Sequence, residues 1–190
     1  MAAPTSETAP VAIVKTDKCF VRPYTLDDAL PLATAANHQV ITNYMRNSFP
    51  NPYTLQDSNF WINSCLTSNP MVNFCICAPD GTPAGGIGLT QGRDVEYRTW
   101  EVGYWVAQEH WGKGIATSAL RAFSVWAIQQ FPEILRLEAG VHSGNEGSLK
   151  VLERAGYTKE GVRRKAVCKG GEIRDMITFS LLREEVEGMI

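Results

Sequence analysis

The stretch from Trp111 to Leu120, WGKGIATSAL, sets two glycines around a lysine just before a run of helix-forming residues. The first turn of a helix has four N–H groups without intrahelical partners and a partial positive charge. Phosphate oxygens therefore bind there when the backbone can come close. Gly112 and Gly114 lack the Cβ atoms that would block the approach, Lys113 adds a cation and Thr117 offers a hydroxyl. Two familiar phosphate loops do not fit these letters. GxxxxGK followed by Ser or Thr needs wider glycine spacing, and the dinucleotide fingerprint needs a third glycine where Thr117 stands. Taken alone, the spacing suits a tight turn into a helix equally well.

Such a loop has to be aimed by its neighbours. Trp100–Val106, WEVGYWV, reads as a strand, and a helix is predicted over Gly114–Gln130, where Ile115, Ala119, Ala122 and Trp126 share a face. Ile134–Val141 reads as the next strand. A crossover of this kind joins parallel neighbours and puts the helix N-terminus at the carboxyl end of the first strand, where α/β sheets keep ligands. Upstream, Cys19–Tyr24 reads as a short strand stopped by Pro23, followed by helical signal from Leu26 to Met45, interrupted near Pro31. Thr54 and Asp57 have capping-box spacing for a further helix. Met71–Cys77 and Ala84–Thr90 form a hairpin around PDGT. Downstream, Glu146–Ala155 reads as helix, and Tyr157–Val167 and Ile173–Leu181 as a hairpin joined through KGGE. The expectation is one α/β domain over residues 18–190 with a mixed sheet, and a flexible tail over residues 1–17.

The 190 residues carry 18 Lys+Arg against 20 Asp+Glu, a balance that favours neither nucleic acid nor an acidic membrane as partner. Cys19, Cys65, Cys75, Cys77 and Cys168 are scattered, with no CxxC and no His/Cys cluster, so reduced thiols and no metal site are expected. Cys75 and Cys77 alternate with Phe74 and Ile76 and should pack on one strand face. No signal-like or membrane-spanning segment is visible, which suggests the cytoplasm.

In order along the chain, IGL, EVGYWV, HWGKGIATSAL, N-x-x-S-x-x-V-L-E-R-A-G-Y, EGVRR and D-M-I-T-F-S-L-L closely resemble the GNAT N-acetyltransferases. NHQV and FPNPYT extend the similarity to the RimJ/RimL-like branch, from Cys19 to Leu182. The resemblance implies an acyl-CoA N-acyltransferase fold of about seven splayed strands, with acetyl-coenzyme A as co-substrate. Gly112, Lys113, Gly114, Ile115, Ala116 and Thr117 would then contact its pyrophosphate. Tyr104, Trp105 and Val106 would pair with the pantetheine amides, Asn145 would bind the cofactor's arm, and Ser148 would lie near the sulfur. Lys150 or Arg154 could reach the 3′-phosphate, a solvated helix face being the plainer role for both. Two positions depart from the pattern. Glu109 stands where Gln or Arg usually opens the loop, and Leu152 occupies the place of a tyrosine general acid.

Transfer is feasible without that acid. A thiolate with a pKa near 8.5 leaves unprotonated near pH 7 at a cost of about 2 kcal/mol, so a weak donor such as Ser148 suffices. A backbone N–H near Trp105–Val106 could stabilise the thioester oxygen. The amine must be neutral to attack, which costs a lysine about 3.4 kcal/mol more than an α-amine. An enzyme without a strong base therefore suits α-amines, arylamines or amino acids. Glu101, on the strand lining the cleft, is the first choice of base, with pairing to a nearby arginine the competing role. Glu96 is the weaker candidate. His142 ends a strand facing the cleft, while His38 and His110 suit solvated positions. The five tryptophans read mainly as core. Together these readings imply direct attack of a bound amine on the thioester in a ternary complex, with no cysteine relay. A coenzyme A-sensing module is the alternative, and an exposed strand edge could support a homodimer.

Overall fold

A computed structural model describes residues 10–188. Among these, eight strands form one sheet: β1 Val14–Lys15, β2 Phe20–Arg22, β3 Asn73–Cys77, β4 Pro83–Gln91, β5 Thr99–Val106, β6 Arg136–His142, β7 Thr158–Lys169 and β8 Glu172–Leu182. Their order is β1-β2-β3-β4-β5-β6-β8-β7. Every neighbouring pair is antiparallel except β5 and β6. The helices are α1 Ala29–Ala36, α2 Gln39–Thr42, α3 Leu55–Thr67, α4 Ile115–Gln130, α5 Glu146–Ala155 and α6 Arg183–Glu187.

The parallel pair positions the site. Thr99, Trp100 and Glu101 pair with Arg136, Leu137 and Glu138, and the register ends there. β5 continues to Val106 against β4, and β6 continues to His142 against β8. The two strands part, and a gap opens through the sheet.

The sheet is covered on both faces. Val102, Val106, Leu137, Ala139 and Val141 join Ile115, Phe123 and Leu152 in the larger core under α4 and α5. Phe74, Phe123, Trp126, Phe131 and Trp100 pack there ring to ring, with centroids 4.9–5.8 Å apart along the chain of contacts. The opposite face packs Cys75, Cys77 and Trp105 against Leu32 and Ile62 of α1 and α3. Cys75 and Cys77 thus share a face, as their alternation with Phe74 and Ile76 requires, and all five cysteines are free thiols.

Local signals worked where the chemistry is local. Thr54 and Asp57 close the capping box of α3, with Asp57 N–H donating to Thr54 Oγ1 at 3.2 Å and Thr54 N–H to Asp57 Oδ2 at 2.8 Å. Gly170 and Gly171 turn β7 into β8 with φ of 56° and 84°, the left-handed pair that a tight hairpin needs.

Three expectations change. Val14–Lys15 lies inside the expected tail yet pairs with Val21 and Phe20, because Ile13 and Val14 have apolar surface to place against the core; residues 1–9 lie outside the described residues. The helical break falls at Asn37–His38. Pro31 is only the third residue of α1, where its missing N–H has no intrahelical partner to lose. The strand count is eight because β1, two residues long, adds to the seven longer runs.

Candidate active site

The glycine loop enters α4 as an open anion site. Gly112 and Gly114 have φ of 73° and 80°, and a Cβ built on either meets nothing within 4 Å. Gly114 is the N-cap of α4 and supplies no side-chain cap, so no side chain of the cap competes for the first-turn N–H groups of Ile115, Ala116 and Thr117. Lys113 is exposed, and the Ile115 side chain is buried in the core while its main chain stays at the helix start. These are the features a diphosphate needs.

Along β5 the main chain faces two ways in alternation. Ala107 N–H donates to Ala84 O and Gly92 N–H to Thr99 O, which turns the odd-numbered groups from Thr99 to Ala107 toward β4. The groups of Tyr104 and Val106 therefore point into the gap, beyond the last β6 pairing. Trp105 is a correction, because its main chain belongs to the β4 ladder and only its side chain lines the cleft. The Trp111 indole N–H donates to Val106 O at 2.7 Å, fixing the loop to the strand end and leaving Val106 N–H as the donor beside the gap.

A cleft of ≈ 1010 Å³ runs through this gap. On the α5 side, the Tyr104 hydroxyl lies 2.8 Å from Ser148 Oγ. Burial pushes the Tyr104 phenol up to about 12 against the weaker, opposing effect of that hydrogen bond. Asn145 Oδ1 accepts from Ser148 N–H at 3.1 Å, capping α5 and setting Ser148 in its first turn. On the other face stand Glu101, Trp105 and His142, with Tyr24, Phe49 and Trp61 as aromatic walls. Glu101 is ion-paired with Arg46 through both carboxylate oxygens. His142 Nδ1 is buried without a hydrogen-bond partner. Its pKa is lowered, first by burial and then by the cations of Arg174, Lys169 and Arg46.

A family profile described as Acetyltransferase (GNAT) domain matches residues 18–158. The chain belongs to the GNAT acetyltransferase family. Over 109 residues it is 38% identical to the "Putative ribosomal N-acetyltransferase YdaF" of Bacillus subtilis (strain 168), covering 57% of this chain and 58% of that protein. Over 174 residues it is 28% identical to the "Uncharacterized N-acetyltransferase p20" of Bacillus licheniformis, covering 91% of this chain and 97% of that protein. Among solved structures, Mycobacterium smegmatis RimJ in complex with CoA-disulfide shares the fold with a TM-score of 0.77 at 22% identity, over 88% of this chain and 83% of that one.

Within this GNAT frame the structure brings Glu101, Tyr104, Trp105 and Ser148 to one cleft, and sets Val106 and Gly112–Thr117 in sequence along its β5–α4 border. Asn145 acts locally as the α5 cap, and Lys150 and Arg154 are exposed on α5. Leu152, at the position where the resemblance implies an acid, is fully buried at the cleft floor, and the Tyr104 phenol reaches Ser148 one turn earlier on α5. Glu109 is exposed on a short 3₁₀ turn before the loop. His38 is exposed, and Glu96 lies outside the main cleft.

Sequence reasoning missed the strap over the acceptor side. Residues 43–54, between α2 and α3, are tied down by Tyr44 Oη donating to Gly144 O at 2.9 Å, Arg174 to Asn43 O at 2.9 Å and Asn47 Nδ2 to Cys168 O at 3.3 Å. Their partners lie 100 or more residues away. Among the described residues no helix is long and apolar enough to cross a membrane, and no three His, Cys, Asp or Glu side chains group as metal ligands.

Proposed function

We propose that this GNAT protein is an acetyl-coenzyme A-dependent N-acetyltransferase acting by direct attack of an amine in a ternary complex. The observation that carries the reading is the gap in the sheet, with Tyr104 and Val106 main-chain groups on its edge and the uncapped α4 N-terminus at its end. Diphosphate oxygens fit the N–H groups of Gly112–Thr117, and an extended amide-bearing arm fits the β5 edge as an added strand would. Bound acetyl-coenzyme A supplies the activated acetyl group. The chain's residues align it, and the Val106 N–H stands where charge on a carbonyl oxygen would develop.

The two faces of the gap divide the work. Ser148, backed by Tyr104, offers a hydroxyl to the departing sulfur from the α5 side. The amine enters from the α1–α3 side, between the strap and the sheet, where Glu101 and its partner Arg46 shape the wall. The acceptor class that fits is a primary amine of pKa near 8, a peptide N-terminus or a small-molecule amine with an apolar body. A lysine side chain would need about 3.4 kcal/mol more to be neutral. The names of the ribosomal-protein relatives agree with a peptide N-terminus as one member of that class.

Thiol release with an amine panel tests the reading. Turnover with α-amines, at least tenfold above a blocked-N-terminus lysine peptide, is expected. Acetyl-coenzyme A binding without turnover on any amine would convert the reading to a coenzyme sensor, and a tenfold preference for lysine would overturn the acceptor class.

A further inference from the structure

Among the described residues, two buried side-chain polar atoms have no hydrogen-bond partner, Ser58 Oγ and His142 Nδ1, and both residues line the same cleft. Buried polar groups are nearly always paired, so such orphans mark either strain or a missing ligand. Ser58 has the Tyr53 phenol close enough to influence that hydroxyl's ionisation, though no bond of ordinary geometry joins them. His142 has no such neighbour. It is the last residue of β6, beyond the point where β5 and β6 part. Leu137, Ala139 and Val141 point into the α4–α5 core, so alternation turns His142 to the acceptor face.

We propose that the His142 imidazole is the proton acceptor for the attacking amine, and that Glu101 holds Arg46 and the strap instead. The inference rests on the N-acetyltransferase reading of the same cleft. As the amine nitrogen bonds to the thioester carbonyl carbon, its N–H proton passes to the His142 imidazole. The C–S bond then breaks, and its electron pair leaves on sulfur. The Ser148 hydroxyl hydrogen-bonds to the departing thiolate, which takes its proton from water, and His142 releases its proton to water.

The surroundings favour this assignment. Glu101 faces the cleft with both oxygens engaged by Arg46. Besides burial, His142 is lowered by the cations of Arg174 from β8, Lys169 from β7 and Arg46 from the strap, the first paired with Glu172 and the last with Glu101. Arg174 is held by Glu172 and by the Asn43 carbonyl, so it cannot swing away to relieve the field. Tyr44, bonded to Gly144 O, closes the strap beside the loop that follows His142. Burial and this field keep the imidazole neutral at pH 7.

The test combines kinetics and imidazole NMR on the full chain, with an alanine-initiated peptide and phenethylamine as acceptor probes. The chain has three histidines, so H142Q assigns the His142 signal by its loss. The His142 resonance is expected to titrate below 6.5, the ordinary histidine value. In wild type, kcat/KM should fall in acid with that same apparent pKa. H142Q should lower kcat by about 10²-fold or more, abolish the acid limb and leave acetyl-coenzyme A affinity unchanged, and added imidazole should restore part of the H142A rate. E101Q should lower the rate while keeping the limb. H142Q within threefold of wild type, or an acid limb that survives H142Q and vanishes in E101Q, overturns the role of His142 while the transferase reading stands. Wild-type protein that binds acetyl-coenzyme A but acetylates neither probe overturns both.

Discussion

At the scale of single residues, the site couples two hydroxyls, those of Tyr104 and Ser148, on the α5 side of the cleft. Tyr104 is too strongly held as the phenol, at about 12, to give up its proton near neutrality. In the proposed mechanism it positions the Ser148 hydroxyl, 2.8 Å away, toward the sulfur. A thiolate needs only about 2 kcal/mol of help, so S148A should lower kcat by about 30-fold at most. Y104F should lower it by less, and the double variant should cost no more than S148A alone. Steady-state thiol release checks this, and additive losses would mean the two hydroxyls act separately. The role of Ser148 was expected, but its pairing with Tyr104, 44 positions away, and the identity of Arg46 as the arginine paired with Glu101, 55 positions away, were not readable from the letters. The glycine loop was readable because helix-start chemistry is contiguous, and only the main-chain direction of Trp105 had to be learned from the ladder.

At the scale of elements, the acceptor wall depends on how α1 is fastened to the sheet. Arg22 on β2 and Asp28 at the start of α1 form a buried bidentate pair, 2.7 and 2.8 Å long, with residue exposures of 8% and 2%. Asp28 also accepts from Thr25 N–H at 2.8 Å. Removing one partner of such a pair leaves an uncompensated buried charge and costs about 3–5 kcal/mol. D28A should therefore lose that much in urea unfolding, while R22M/D28L should recover most of it. A loss under 1 kcal/mol for D28A would show that the pair is dispensable. Strand alternation, capping spacing and the KGGE turn were legible in advance because each is settled within a few residues. The parting of β5 from β6 was expected only through family resemblance, since no local pattern states where a parallel pairing stops.

At the scale of the whole molecule, ligand and protons should both move stability. A coenzyme bound only by the native state adds about 2.7 kcal/mol at one hundred times its Kd, which for a domain of this size is a rise of about 5–10 °C in Tm. Acid should act through Glu160, whose carboxyl is held down to about 2 by Arg136 and Ser180. Because its folded pKa lies below the ordinary 4.5, its contribution is present above 4.5 and is lost as pH falls toward 2. E160Q should flatten the fall of Tm across that window, and an unchanged slope would remove Glu160 from the account. His142 has the same sign, its lowered pKa favouring the fold above about 6.5 and ceasing to do so as pH drops.

The most direct test is a crystal structure of the protein grown with acetyl-coenzyme A. The diphosphate should accept from main-chain N–H groups between Gly112 and Thr117, with the thioester in the opening between β5 and β6, Ser148 beside its sulfur and His142 across from its carbonyl carbon. Density for the coenzyme at any other surface, or none at millimolar concentration, would contradict the account.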